Sequence, residues 1–242
     1  MNTIKLSKQG TNVKMIAHRG LSGLERENTC AAFVAAGNRE TYWGIETDIH
    51  CTADGKFVII HDDTTTRVSG VEMTVEETDF DTLRSLRLLD KEREGTRWDL
   101  VLPTLEEYIS ICKKYDKVAV LELKNPMPEE AVCEIIRAVE AMDYAEHMVV
   151  ISFSFDNMVF LRKNFPKQKA QFLLSGWDDK WLPELKEYDL GLDIRHTAIT
   201  AELVEKIHSI GQEINCWTVD TLEDAARVIA CGVDYITTNI LE

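Results

Sequence analysis

Residues 44–63 read GIETDIHCTADGKFVIIHDD, and the turn inside this stretch decides the fold. Two apolar runs, 44–50 (GIETDIH) and 57–61 (FVIIH), flank Thr52-Ala53-Asp54-Gly55. Asp-Gly is a tight-turn signature. A parallel neighbour needs a crossover of about a dozen residues, which the short link between these runs cannot supply. The second run is therefore expected to fold back antiparallel on the first, and counting away from the turn places His61 near Asp48. Alternate side chains of a strand share a face. Glu46 and Asp48 thus point one way, while Ile45, Thr47 and Ile49 point the other, toward covering helices.

Seven further runs read as strands: 14–18, 117–124, 147–153, 168–174, 189–194, 213–219 and 233–238. Helical patterns fall between most of them, at 29–37, 103–115, 128–142, 156–164, 200–210 and 221–231. Their starts carry Asn28, Pro103, Pro128, Asp156, Thr200 and Thr221, which are capping or first-turn residues. With 44–50 this makes a parallel α/β pattern of eight strands, the hairpin arm 57–61 standing outside the alternation. The chain has 242 residues, close to the roughly 250 of a (β/α)8 TIM barrel. One barrel domain over 1–242 is expected. Residues 62–102 are polar and too long for a barrel loop. They are expected to form a small inserted lobe after the second strand, at the barrel mouth, with a short helix near 79–88.

A formal net charge of −15 disfavours nucleic acid and anionic membranes as partners. It leaves room for a small anionic substrate at a locally cationic site. The six cysteines lie in apolar stretches with no C-x-x-C pair, which suits reduced thiols. The N-terminal segment has no apolar run of signal-peptide length, and no stretch of about 18 apolar residues exists. A cytoplasmic protein without a stable membrane anchor is expected. No sequence feature sets the oligomeric state.

Glu122 and Lys124 share a face of strand 117–124, with Leu121 and Leu123 opposed. Three carboxylates and a lysine then face the barrel interior, where isolated charges are costly. Two accounts fit: an internal ion-pair network around Lys124, or a hard-cation site of Glu46, Asp48 and Glu122. Oxygen-only ligands suit Mg²⁺, Ca²⁺ or Mn²⁺. His18 and His61 both end runs at the strand C-termini, where barrels build their sites. A lone histidine there is commonly a packed residue, but two beside three carboxylates read as a proton-transfer pair. Asp62, directly after His61, either orients a ring or starts the next turn. Arg19 can hold a phosphate through paired donors, or simply form a salt bridge. Asn28 reads as a helix cap, and Glu27 beside it can bond into the site. Trp217 shares a strand face with Asn215 and Val219; it either packs in the core or walls a substrate pocket. His50, His147, His196 and His208 have no comparable surroundings and read as structural or exposed.

These segments together resemble the glycerophosphodiester phosphodiesterase family. The matching stretches are IAHRG (16–20), ENT (27–29), GIETDIHCTADGKFVIIHDD (44–63), LPTLEEYI (102–109), LELK (121–124), ISFS (151–154), CWTVD (216–220) and GVDYITTN (232–239). The resemblance implies a barrel with an insertion after the HD motif. It also implies His18 and His61 as an acid–base pair, Glu46, Asp48 and Glu122 as ligands of Mg²⁺ or Ca²⁺, and Arg19 and Lys124 as phosphate contacts. The implied reaction converts glycerophosphodiesters to an alcohol and sn-glycerol 3-phosphate. Hydrolysis of a lysophospholipid or phosphoinositide-type diester, or a non-catalytic binding barrel, are the alternatives. Arg26 stands where the family usually has proline, Asn239 where an aspartate often stands, and Leu241 where a proline is expected.

Overall fold

The computed structural model describes residues 2–6, 12–91 and 94–242. Eight parallel strands close into a barrel: β1 (Lys14–Ala17), β2 (Tyr42–Cys51), β4 (Val118–Leu123), β5 (Met148–Ser152), β6 (Lys169–Leu174), β7 (Gly191–Arg195), β8 (Ile214–Trp217) and β9 (Tyr235–Thr238). Each pairs with the next, β9 pairs with β1, and β1 pairs with β2, so no barrel edge is left open. The hairpin arm β3 (Phe57–Ile59) runs antiparallel on β2 in the register Ile49↔Ile59, His50↔Val58, Cys51↔Phe57. The Ile60 amide then donates to the Asp48 carbonyl at 3.1 Å. His61 follows directly, beside Asp48 as the turn count requires.

The helices α1 (Cys30–Gly37), α4 (Leu105–Lys114), α5 (Glu129–Glu140), α6 (Phe155–Asn164), α8 (Ala201–Ser209) and α9 (Leu222–Cys231) fall where the periodicity puts them. Between β6 and β7 lies a further helix, α7 (Trp181–Glu187), whose seven residues are too short to show a clear period. Two caps differ from expectation. Thr29, not Asn28, caps α1 by accepting from the Ala32 amide, and Ser154, not Asp156, caps α6. Asn28 has φ +51°, outside the extended conformation that an N-cap adopts, and its side chain is used elsewhere.

The layers follow from strand alternation. Ile45, Ile49, Leu121 and Leu123 pack outward against the helices. Ile16, Val120, Val149, Ile151, Leu173 and Tyr235 fill the barrel interior. The inner face of β4 therefore runs from apolar Val120 to charged Glu122 as it rises toward the mouth. Between β3 and α4, the segment with helices α2 (Thr66–Ser69) and α3 (Phe80–Ser85) builds its own small core from Val68, Val75, Leu83, Leu88, Leu100 and Leu102. Val58 and Ile60 of the hairpin arm complete it. Residues 92 and 93, within the expected lobe, lie outside the described set. Arg26, standing where proline was expected, ties this segment to the barrel by donating to the carbonyls of Leu89 (2.8 Å) and Asp90 (2.6 Å).

Gly20 closes the turn after β1 at φ +74°, and a Cβ there would lie 2.6 Å from the Ala32 backbone carbon. Both the backbone angle and the space demand glycine. Gly20→Ala is expected to destabilise the protein by at least about 2 kcal/mol, read as a lower urea midpoint at unchanged slope.

Candidate active site

Glu46, Asp48 and Glu122 converge at the mouth. β2 and β4 pair with Asp48 opposite Glu122, and ligand atoms of the three carboxylates lie within 4.8 Å of one another. All three are buried. Two cations face them. Lys124 Nζ is 2.7 Å from Glu122 Oε1 and 3.6 Å from Asp48 Oδ1, and Arg19 Nε is 3.5 Å from Asp48 Oδ2. The Arg19 amide donates to Glu46 Oε2 at 2.7 Å, and Asn28 Nδ2 donates to Asp48 Oδ2 at 2.8 Å. Asn28 Oδ1 in turn accepts from Thr47 Oγ1. Asn28 is thus a site residue. The sequence hid this because a polar residue just before a helix reads first as its cap.

Burial acts on the three carboxyls alike, but their neighbours separate them. Glu46 is pushed well above the usual carboxylate range by burial and then by Asp48 and Glu122. Glu122 is raised by burial and by Asp48. For Asp48, burial is outweighed by the charges of Arg19 and Lys124, which hold it down. The local cations therefore compensate Asp48 and leave the others repelling. Asp48 Oδ1 is buried without a hydrogen-bond donor. An all-oxygen set with an orphaned lone pair and surplus negative charge fits a hard divalent cation.

The two histidines are held differently. His18 follows β1, and its Nδ1 lies 2.8 Å from Asn239 Oδ1. Asn239 Nδ2 donates to Asp220 Oδ2 at 2.6 Å, and its amide donates to Asp220 Oδ1 at 2.8 Å. Both Asn239 N–H groups thus point at the Asp220 carboxyl, and its side-chain oxygen faces His18. The proton of neutral His18 must then sit on Nδ1, leaving Nε2 bare. Burial, and next the Arg19 charge, lower His18 to about 4. His61 Nδ1 lies 2.7 Å from Asp62 Oδ1. Burial lowers His61 too, opposed by Asp48 and Asp62.

One guanidinium, absent from the expected set, ties the mouth together. Arg67 of α2 donates to both Glu27 oxygens (2.6 and 2.8 Å) and to both Asp62 oxygens (2.6 and 2.9 Å). Glu27 also pairs with Arg19 at 2.8 Å. Burial would raise Glu27, but the Arg67 bonds and the Arg19 charge outweigh it and hold it at about 2. Asp62 is held low chiefly by Arg67. Arg67 thereby positions Asp62 against His61 and Glu27 against Arg19. Arg67→Ala is expected to lower kcat by up to about 100-fold through misplacement of these groups, with a smaller change in KM. Arg67→Lys is expected to recover little, because a lysine cannot bridge two carboxylates in paired fashion. Steady-state kinetics beside an unchanged circular-dichroism spectrum checks both.

Trp217 ends β8. Its ring joins the interior cluster, whereas Val219 packs in the outer one, so the two do not share a face. The strand ends at Trp217, and the alternation ends with it. His50 is buried, bonded to Glu76 (3.0 Å) and to the His61 carbonyl (3.3 Å), and thus buttresses the hairpin end. His208 pairs with Asp234 and His196 with Asp224, while His147 packs on Tyr144, all apart from the carboxylate cluster. No helix among the described residues is long and apolar enough to cross a membrane.

Fold and site together define a barrel hydrolase of phosphoric diesters. Residues 18–242 match the glycerophosphoryl diester phosphodiesterase family, and the chain belongs to it. A glycerophosphodiester phosphodiesterase of Caldanaerobacter subterraneus subsp. tengcongensis is 33% identical over 237 residues, covering 93% of each chain. The solved structure of an Oleispira antarctica phosphodiesterase in complex with the product sn-glycerol-3-phosphate superposes with TM-score 0.80 at 26% identity, covering 93% of this chain and 92% of that one. A Silicibacter pomeroyi structure at 23% identity shares the fold with TM-score 0.83, covering 96% of this chain and 91% of that one.

Proposed function

We propose that the chain hydrolyses glycerophosphodiesters to an alcohol and sn-glycerol 3-phosphate, with His18 as general base and His61 as general acid. The observation that carries the roles is the tautomer set by Asp220 through Asn239. His18 Nε2 is a bare lone pair at neutral pH, suited to take the proton from water or a neighbouring glycerol hydroxyl. His61 has the Asp62 carboxylate on Nδ1, which fixes the ring and partly offsets the lowering by burial, and its Nε2 is the atom that delivers a proton to the departing alkoxide. Arg19 and Lys124 hold the phosphoryl oxygens; Lys124 commits one of its three donors to Glu122 and keeps others for substrate. Glu27 keeps the Arg19 guanidinium oriented, and Trp217 walls the pocket.

Glu46, Asp48 and Glu122 would hold Mg²⁺, Ca²⁺ or Mn²⁺. Bound there, such an ion supplies Lewis-acid polarisation of the phosphoryl group and offsets its growing charge. The product-bound Oleispira relative supports glycerol 3-phosphate as the retained half. Six free cysteines suit a reducing, cytoplasmic setting. The test is a panel of diesters assayed with each cation in turn and scored for released glycerol 3-phosphate. Absence of release with every cation would sink the reading.

A further inference from the structure

The barrel interior carries a fourth buried carboxyl that the proposed chemistry leaves unused. Leu192 and Ile194 of β7 pack in the outer core, so Asp193 between them points inward. It is 2% exposed, and its Oδ1 has no hydrogen-bond partner among the described residues. Burial raises it well above the usual carboxylate range, opposed by a hydrogen bond from Asn215 and aided by the Glu122 charge. That charge reaches Asp193 because both side chains look onto the same interior space. Depth does not set Asp193 apart from the site either, since Asp48 is 1% and Glu46 3% exposed. In the strand register Asp193 stands between Leu173 of β6 and Asn215 of β8. Leu173 is apolar and lines the interior with Ile151 of β5. Asn215 is bonded to Thr237 at 2.9 Å and to Asp193. At this level of the far wall, Asp193 is the side chain with an oxygen to spare. A buried polar atom without a partner is costly, and it marks a place for a partner the chain does not supply.

The two halves of the substrate are placed by the groups that act on them. Arg19 follows β1 and Lys124 follows β4, so the phosphoryl group sits on the β1–β2–β4 side. His61 stands on the arm paired with β2, which puts the leaving alcohol on that side as well. His18 is tied to β9 through Asn239 at 2.8 Å. In an in-line displacement the attacking oxygen at His18 lies opposite the leaving oxygen at His61. The side of the mouth left for the retained glycerol is therefore the one beyond His18, above β7, β8 and β9. One glycerol hydroxyl, next to the phosphoryl oxygen, falls within reach of His18. The other, at the end of the chain, points into the interior and needs a partner once it leaves water. Asp193 offers one there. A protonated carboxyl both donates and accepts, which matches a hydroxyl.

Resting on the phosphodiesterase reading above, we propose that Asp193 holds the terminal hydroxyl of the retained glycerol, and so makes the enzyme reject diesters that lack it. The test compares two ethanolamine diesters, one of sn-glycerol 3-phosphate and one of its analogue without the terminal hydroxyl, propane-1,2-diol 1-phosphate. Both keep the hydroxyl beside the phosphoryl group and the same leaving alcohol. In the wild type the ratio of their kcat/KM values is expected to be about 10–100 in favour of glycerol, the scale of leaving a buried polar group unpaired. Asp193→Leu is expected to bring the ratio close to one by losing rate on the glycerol diester alone. Asp193→Asn, which keeps a donor and an acceptor in the same shape, is expected to retain most of it. Calorimetry with the two free monophosphates gives a reading independent of turnover, and the wild type is expected to bind glycerol 3-phosphate about 10–100-fold more tightly. A wild-type ratio near one, or equal losses on both diesters in Asp193→Leu, overturns the specificity role while leaving the phosphodiesterase reading intact. Failure of the wild type to cut either diester counts against that reading instead. Equal binding of the two monophosphates then overturns the role of Asp193 as well.

Discussion

Replacing His61 by alanine is expected to lower kcat on a glycerophosphodiester with an ordinary alcohol by about 10²–10⁴-fold, and to lose far less on a diester with a p-nitrophenyl leaving group. That alkoxide departs without a proton, so the loss of a general acid is largely masked. His18→Ala is expected to lose activity on both substrates, because each needs an activated nucleophile. His61 has about a third of its side chain exposed, so its truncation costs little stability and the effect is read on folded protein. The pH dependence separates the two further. His18 is lowered from the ordinary 6.5 to about 4 by burial first and the Arg19 charge second. A lowered histidine is neutral above its folded value, so loss of the His18 base is expected only as pH falls toward about 4. Asn239→Asp replaces a neutral acceptor by a carboxylate and is expected to move that acid limb upward. Wild-type rates in both alanine variants would remove the two histidines from the mechanism.

Glu46→Gln is expected to weaken divalent-ion binding by more than about 100-fold, measured by calorimetry against a wild type that binds one ion per chain. The same change is expected to stabilise the metal-free protein by about 1 kcal/mol, because it removes one of three mutually repelling buried carboxylates. Asp48→Asn is expected to weaken binding as well, but to destabilise the metal-free protein by about 3 kcal/mol. Asp48 is the carboxylate that compensates Arg19 and Lys124, and removing its charge strands both cations. Thermal melts in chelator separate the two outcomes. A purely structural ion-pair network would instead show no ion binding in the wild type and a loss of stability in both variants.

Much of the barrel was legible because strands repeat every two residues and helices every 3.6, and both periods survive in a single chain. The one antiparallel arm was legible too, since six residues around Asp54-Gly55 leave no room for a crossover. The helix α7 was not: seven residues carry less than two full turns of pattern. In the site, the carboxylates stood out because charge on the inner face of a barrel strand breaks the apolar rule. Asn28, Arg67 and Asp220 did not stand out, each being an ordinary polar residue in a loop or at a helix end. Asn28 reads as a cap because capping is a sufficient local explanation, whereas its side chain serves Asp48.

The sequence by itself determined the barrel, the hairpin that carries His61 and the set of three carboxylates with two histidines. Each of these follows from spacing along the chain, which covalent geometry makes legible. Only the tertiary structure decided how the two histidines differ. Asp220 reaches His18 through Asn239, and Arg67 reaches His61 through Asp62. The Arg67 carboxylates Glu27 and Asp62 stand 35 residues apart, and Asn239 stands 221 residues from His18. Proton placement depends on which polar atoms end up 3 Å apart, and no local periodicity encodes contacts across such separations.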